Sequence, residues 1–253
     1  MTTTTTPEII VVDDPPAMGR LAAQRVRRSA ATALAARGEW RVALAGGSTP
    51  RALYSELAAR SRELGSAGDA IDWKRSALFF GDERTVPPDH ADSNYRMVRE
   101  TLLSAIAIPA GNVHRMEGEA HDLDAAAARY EGALGDAALD LAILGMGPDG
   151  HTASLFPGTT AVSEGQRRCV AVAVPRLATS RLTLTYPVFE AAREIIFLIA
   201  GRDKALTLKA AIEGPARPDL LPCQSIFRRS GPVAIFCDRG AVADLSTLTR
   251  PPA

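Results

Sequence analysis

Apolar residues fall along this chain in short blocks, and between most of the blocks they spread out to helical spacing. The blocks are Glu8–Val12, 41–45, Ser76–Phe80, 139–144, Cys169–Val174, 182–185, 194–200 and 233–237. Each is bounded by turn or polar residues, and such runs predict buried strands. Helical spacing over 17–37, closed by Gly38, and over 51–60, 93–104, 123–134 and 203–212 predicts helices, and a polar stretch over 65–72 predicts a loop. Strand and helix alternate throughout, without internal repeat or a break in composition. The pattern predicts an α/β fold, a doubly wound, mostly parallel sheet with helices on both faces and some antiparallel additions. Residues 1–7, rich in threonine, are expected to be a disordered tail, and 8–253 a single domain.

The polar residues follow this pattern closely. Gly46 to Pro50, Asp82 to Arg84, Asp149 to His151, and Arg202 with Lys204 each come directly after an apolar strand. All four sets are therefore expected at the carboxyl edge of one parallel sheet, where open α/β sheets bind ligands. Gly46-Gly47-Ser48-Thr49-Pro50 offers backbone amides and two hydroxyls at a helix start, the makings of an anion site, most simply for phosphate. It equally suits a glycine turn with a capping hydroxyl. Lys204 would add a point charge there, or else be a solvated lysine.

The stretch 139–158, LDLAILGMGPDGHTASLFPG, runs from a strand into a turn with three glycines and a proline in six residues. That turn carries Asp149 and His151, the usual equipment for proton transfer; alone, they also read as a turn carboxylate and a hydrogen-bonded loop histidine. The spacing Gly145-x-Gly147-x-x-Gly150 matches a dinucleotide fingerprint but reads as coincidental. No long helix follows it, since Pro157 and Gly158 intervene, and the next strand ends in Pro175 and Arg176 rather than an acid.

Composition narrows the function classes. With 253 residues, 46% of them hydrophobic, the chain has enough apolar surface for a large core. Its 29 basic and 29 acidic residues cancel, so there is no general attraction to nucleic acid or anionic membrane, and neither is an expected partner. Cys169, Cys223 and Cys237 lie far apart without metal-ligand spacing and read as core residues of a cytoplasmic protein. The threonine-rich start is no signal peptide, and the longest strongly apolar run, 195–200, falls far short of the roughly 20 residues of a membrane span.

Taken in order, GGSTP, GDERTVPPDHADSNYRM, LGMGPDGHTASLFPG and GRDKA resemble the motif series of the 6-phosphogluconolactonases, whose superfamily also holds glucosamine-6-phosphate deaminase. The resemblance spans about residues 41–213, and four motifs in order are a specific signature where GGSTP alone is not. It implies a Rossmann-like sheet, no metal or organic cofactor, and hydrolysis of 6-phosphoglucono-1,5-lactone in the pentose phosphate pathway. Its implied partner is a phosphorylated sugar lactone, with oligomeric state, monomer or small homo-oligomer, left open.

Carried over residue by residue, the resemblance makes His151 the general base for water and Asp149 its orienting partner. The phosphate would lie on Gly46, Gly47, Ser48 and Thr49, with Lys204 and Arg181. Arg84 is a further anion contact, Asn94 binds sugar hydroxyls or fixes its loop, and Asp82 contacts the sugar or pairs with Arg84. The chemistry agrees, because a lactone needs only a base near neutrality, a held water and oxyanion donors. Neither a G-x-S-x-G elbow nor a motif-borne cysteine suggests an acyl-enzyme. Two alternatives stand beside it. The sister deaminases carry a glutamate five residues beyond the histidine, where this chain has Phe156. A sugar-phosphate sensor would normally add a helix-turn-helix module, for which the residues before Glu8 leave no room.

Overall fold

A computed structural model of the chain describes residues 6–64 and 71–246. Most of the expected tail, residues 1–5, and of the expected loop, residues 65–70, lies outside the described residues, as does 247–253 of the expected domain. The strands are β1 (Glu8–Val12), β2 (Trp40–Leu44), β3 (Ser76–Phe80), β4 (Asp82–Arg84), β5 (Leu141–Gly145), β6 (Cys169–Val174), β7 (Thr179–Leu184), β8 (Ile195–Ile199) and β9 (Val233–Asp238). The helices are α1 (Pro15–Arg37), α2 (Arg51–Leu64), α3 (Asn94–Thr101), α4 (Leu123–Leu134), α5 (Tyr186–Ala191), α6 (Ala205–Glu213) and α7 (Cys223–Phe227).

Six strands in the order β1-β9-β8-β5-β2-β3 pair in parallel throughout. Successive residues of each central strand feed opposite cores, as the two-residue period of a strand requires. Val42, Leu141, Ile143, Ile196 and Leu198 pack with α1, α2 and α3, whereas Ala43, Ala142, Leu144, Phe197 and Ile199 pack with α4, α5, α6 and α7. Both faces are thereby covered, which explains why β5 and β8 read as unbroken apolar runs.

The antiparallel addition is a separate three-stranded sheet in the order β4-β7-β6. It packs into the second core through Cys169, Val172, Leu182 and Leu184. Element boundaries moved where local chemistry decides them. Helix α1 starts at Pro15 rather than at 17 because the Asp14 side chain accepts from the Ala17 amide, and prolines suit a first turn. Helix α3 stops at Thr101, with a 3-10 turn at Leu103–Ala105 beyond it, and Arg202–Lys204 forms a 3-10 turn ahead of α6. The short helices α5 and α7 had no periodic signal to announce them.

Candidate active site

Residues of all four polar sets converge, except that Arg202 pairs with Asp244 outside the site and leaves Lys204 to represent its set. A cavity of about 610 Å³ opens at the carboxyl edge of the parallel sheet, lined by the 46–50 turn after β2, Asp82 and Arg84 of β4, the turn after β5, and Lys204 after β8. The small sheet closes its side with Arg181 of β7 and with Arg176 and Leu177 of the β6–β7 connection.

Strand β5 ends at Gly145, and the chain then folds back on itself. The Gly150 amide donates to Gly147 O at 3.0 Å and the Gly147 amide to His151 O at 2.8 Å. Thr207 Oγ1 donates to Pro148 O at 2.6 Å and the Cys223 amide to Gly150 O at 2.9 Å, fastening the turn to α6 and α7. His151 Nδ1 lies 2.5 Å from Asp149 Oδ1, which also accepts from the His151 amide at 3.3 Å. A ring whose Nδ1–H is held by a carboxylate keeps Nε2 as its basic nitrogen. Asp149 itself is not part of the cavity lining, and its Oδ2 meets the Arg176 guanidinium at 2.5 Å. Burial alone would raise this carboxyl, but its hydrogen bond to His151, the imidazole charge and Arg176 outweigh burial and hold it at about 2. Phe156 packs on the imidazole with ring centroids 4.2 Å apart, and the Arg176 guanidinium lies 4.8 Å from the same phenyl ring.

The expected anion end is built from two strand ends. Gly47 has φ of 89°, a left-handed conformation that glycine adopts freely, and with Ser48 it is exposed in the turn leading to α2. Tyr54 of α2 ties that turn down by donating to Ala45 O at 2.8 Å. Lys204 borders the same cavity with Nζ 2.7 Å from Asp203 Oδ2. In the wall of the same cavity Arg84 and Arg181 are direct cross-strand partners, and their hydrogen bonds go to neutral oxygens: Arg84 to Asp92 O, Arg181 to Thr179 Oγ1 and Ser180 O. Burial, and after it the like charge of Arg84, pulls the Arg181 guanidinium below its ordinary value. Asp82, Asp92 and Glu83 act on Arg181 from nearby, but among the described residues neither arginine makes an ion pair, and two adjacent cations so placed can help to hold an anion.

Asp82 is not the partner of Arg84. Its Oδ2 accepts from Ser154 Oγ at 2.7 Å and its Oδ1 from Asn94 Nδ2 at 3.2 Å. Asn94 is buried, with Nδ2 also donating to Asp82 O and Oδ1 left without a donor against the Cα of Gly46. A Cβ at residue 46 would sit 1.7 Å from that oxygen, so only glycine lets Asn94 reach across. The residues that sequence reasoning missed are Ser154, Glu83 and Arg176. Glu83 was legible in principle, since in a three-residue strand the middle side chain points away from the two that face the cavity. Arg176 had no signal, because its partner lies in the turn after a strand of the other sheet.

Among the described residues no group of three or more His, Cys, Asp or Glu side chains is disposed to hold a metal ion. Among the same residues no helix is long and apolar enough to cross a membrane.

The family model described as glucosamine-6-phosphate isomerases/6-phosphogluconolactonase matches residues 13–235. The 6-phosphogluconolactonase of Synechocystis is 38% identical over 203 residues, 77% of this chain and 80% of that protein. That of Mycobacterium tuberculosis is 38% identical over 237 residues, 88% of this chain and 92% of the relative. Among solved structures, 6-phosphogluconolactonase from Trypanosoma cruzi is similar with a TM-score of 0.81 at 29% identity, over 96% of this chain and 99% of its own.

Proposed function

The chain belongs to the glucosamine-6-phosphate isomerase/6-phosphogluconolactonase family, and from that membership we propose how its cavity works. It is a hydrolase that opens 6-phospho-D-glucono-1,5-lactone to 6-phospho-D-gluconate, a step of the oxidative pentose phosphate pathway. His151 Nε2 takes a proton from water as the water oxygen bonds to the lactone carbonyl carbon. Asp149 keeps the ring in the right tautomer and steadies the imidazolium. The Gly147 and Gly150 amides are taken up within the turn and Pro148 has none, so a remaining amide of 145–150 or a cavity arginine meets the oxyanion; on collapse the carbon–ring-oxygen bond breaks and the imidazolium returns its proton to that oxygen. The phosphate is held by Gly46, Gly47, Ser48 and Thr49 with Lys204 and with Arg181 reaching in from β7, and Arg84 adds a third cation. Asn94 and Asp82 hold the wall together rather than the sugar, since their polar atoms are taken up within the protein or buried.

The observation that carries this reading is the imidazole itself, backed by Asp149 at 2.5 Å and covered by Phe156 where the sister deaminases have glutamate. Moving a proton between sugar carbons wants a further acid beside the base; a lactone wants only the base and its water. We also place residues 8–253 as one unit in a reducing cytoplasm, on the strength of three free, buried cysteines.

A coupled assay tests the reading. Glucose-6-phosphate dehydrogenase generates the lactone, and 6-phosphogluconate is followed above spontaneous hydrolysis, with glucosamine 6-phosphate offered in parallel for ammonia release. Acceleration with the lactone alone is expected. His151→Ala lowers kcat by about 10²–10⁴-fold, whereas Lys204→Ala chiefly raises KM. Ammonia release without lactone hydrolysis overturns the assignment.

A further inference from the structure

We propose that Arg176 is a positioning residue, delivered by the small sheet to lock the Asp149–His151 pair of the large sheet. The inference rests on the hydrolase reading of that pair. Three observations carry it. The guanidinium contacts Asp149 Oδ2 at 2.5 Å while His151 Nδ1 contacts Oδ1 at the same distance, so the carboxylate is gripped from both ends and its plane is set. The same guanidinium lies over the face of Phe156, whose ring packs on His151. Arg176 therefore braces the imidazole twice, through the carboxylate and through the phenyl ring. The turn that carries it is tight: Pro175–Leu177 is one 3-10 turn, and the Ala178 amide closes it on Pro175 O at 3.0 Å with φ of 47° at Ala178.

An aspartate two residues from its histidine on a glycine-rich turn has other rotamers open to it, and hydrogen-bonds its own backbone readily. A fixed cation on a separate element removes that freedom. The carboxylate then presents one oxygen to Nδ1 and leaves Nε2 aimed by the ring's other restraints. Arg176 is half-exposed and stands on a connection between strands, so the fold does not depend on it.

The test uses Arg176→Met, which keeps an apolar stem on Phe156 but removes the ion pair, and Arg176→Lys, which restores a charge. In wild type the imidazole Nδ1–H proton and nitrogen resonances of His151, assigned by their absence in His151→Ala, report a ring held by a carboxylate. Arg176→Met is expected to shift or broaden them and Arg176→Lys to recover them in part. Unchanged resonances in Arg176→Met overturn the proposal, and this readout holds whatever substrate the enzyme takes. Inactivity of wild type toward the lactone therefore refutes the hydrolase reading separately. In the lactone assay Arg176→Met lowers kcat about tenfold, the scale of one charge-assisted hydrogen bond, with KM nearly unchanged. In an Asp149→Asn background the same substitution has little further effect. A raised KM with kcat preserved makes Arg176 a substrate contact instead, and full additivity with Asp149→Asn makes it act elsewhere; either result overturns the positioning role.

Discussion

At Gly147 a hydrogen atom leaves room for the imidazole. A Cβ there would lie 2.0 Å from both Cε1 and Nδ1 of His151 and 2.8 Å from Asp149 Oδ1. Those atoms belong to movable side chains and Gly147 has no positive φ, so Gly147→Ala is expected to fold normally and push the base aside. Turnover should drop at least about a hundredfold, with Tm changed by no more than a few degrees; unimpaired turnover would show that the ring's observed seat is not the working one. Asp149 gives a second prediction with a definite sign. Its carboxyl titrates at about 2 in the folded chain against an ordinary 3.8, so the folded state binds that proton less readily than the unfolded state. The resulting stabilisation, discounted for solvent screening of a partly exposed group to about 1 kcal/mol, is nearly complete above pH about 4 and is lost as pH falls toward 2. Denaturant melts of wild type and Asp149→Asn should therefore differ at pH 5, differ by about half as much near pH 3 and converge toward pH 2, and a gap that widens in acid would refute the assignment.

At the scale of elements, the join between β4 and α3 holds the cavity wall in shape. Glu83 turns inward between Asp82 and Arg84, and its carboxylate accepts from the amides of Arg84, Asn94 and Tyr95 and from Ser93 Oγ, at 2.7–3.1 Å. A carboxylate on the first amides of a helix is well placed against the helix dipole. Burial nevertheless holds it above its ordinary range, with those amides pulling it back. Glu83→Gln replaces one acceptor oxygen with an NH₂ that faces donors, and it should cost about 1–3 kcal/mol. Guanidinium melts check that figure, and an unchanged midpoint would mean that the four contacts are incidental. The eight apolar blocks were legible as strands and five of the helices as helices, because burial on both faces and amphipathic spacing leave strong periodic traces. Three-residue β4 and five-residue α7 are too short for any period to show, and exist because tertiary contacts hold them. The active-site turn was legible for a different reason: its glycines and proline are local requirements, and local chemistry is written locally. Arg176, Ser154 and the true partners of Asp82 were not, since each is a contact between segments at least 12 residues apart.

At the scale of the whole molecule, a large parallel sheet presents His151 and the 46–49 turn to the cavity, and a small antiparallel sheet presents Arg84, Arg181 and Arg176. The proposed catalysis needs the two in register, and the three cysteines are placed to report whether they open together. Cys169 lies in β6, at the edge of the small sheet, Cys223 in α7, and Cys237 in β9, between β1 and β8. All are buried and free, and burial pushes each thiol up to about 12. Only the thiolate attacks a disulfide reagent, and at pH 8 a thiol titrating near 12 is ionised to roughly one part in 10⁴. The native protein should accordingly leave all three unlabelled while guanidinium exposes all three. Under mild denaturant, labelling follows local opening. A three-stranded sheet with an open edge at β6 has fewer ladder bonds to break than a strand paired on both sides. Cys169 is therefore expected to react before Cys237, and mass spectrometry of partly labelled protein identifies which cysteine carries the reagent. That order would mean that the cavity loses its arginines before its base. Simultaneous labelling would show that the two sheets unfold as one cooperative unit, the cavity surviving intact until the whole chain gives way.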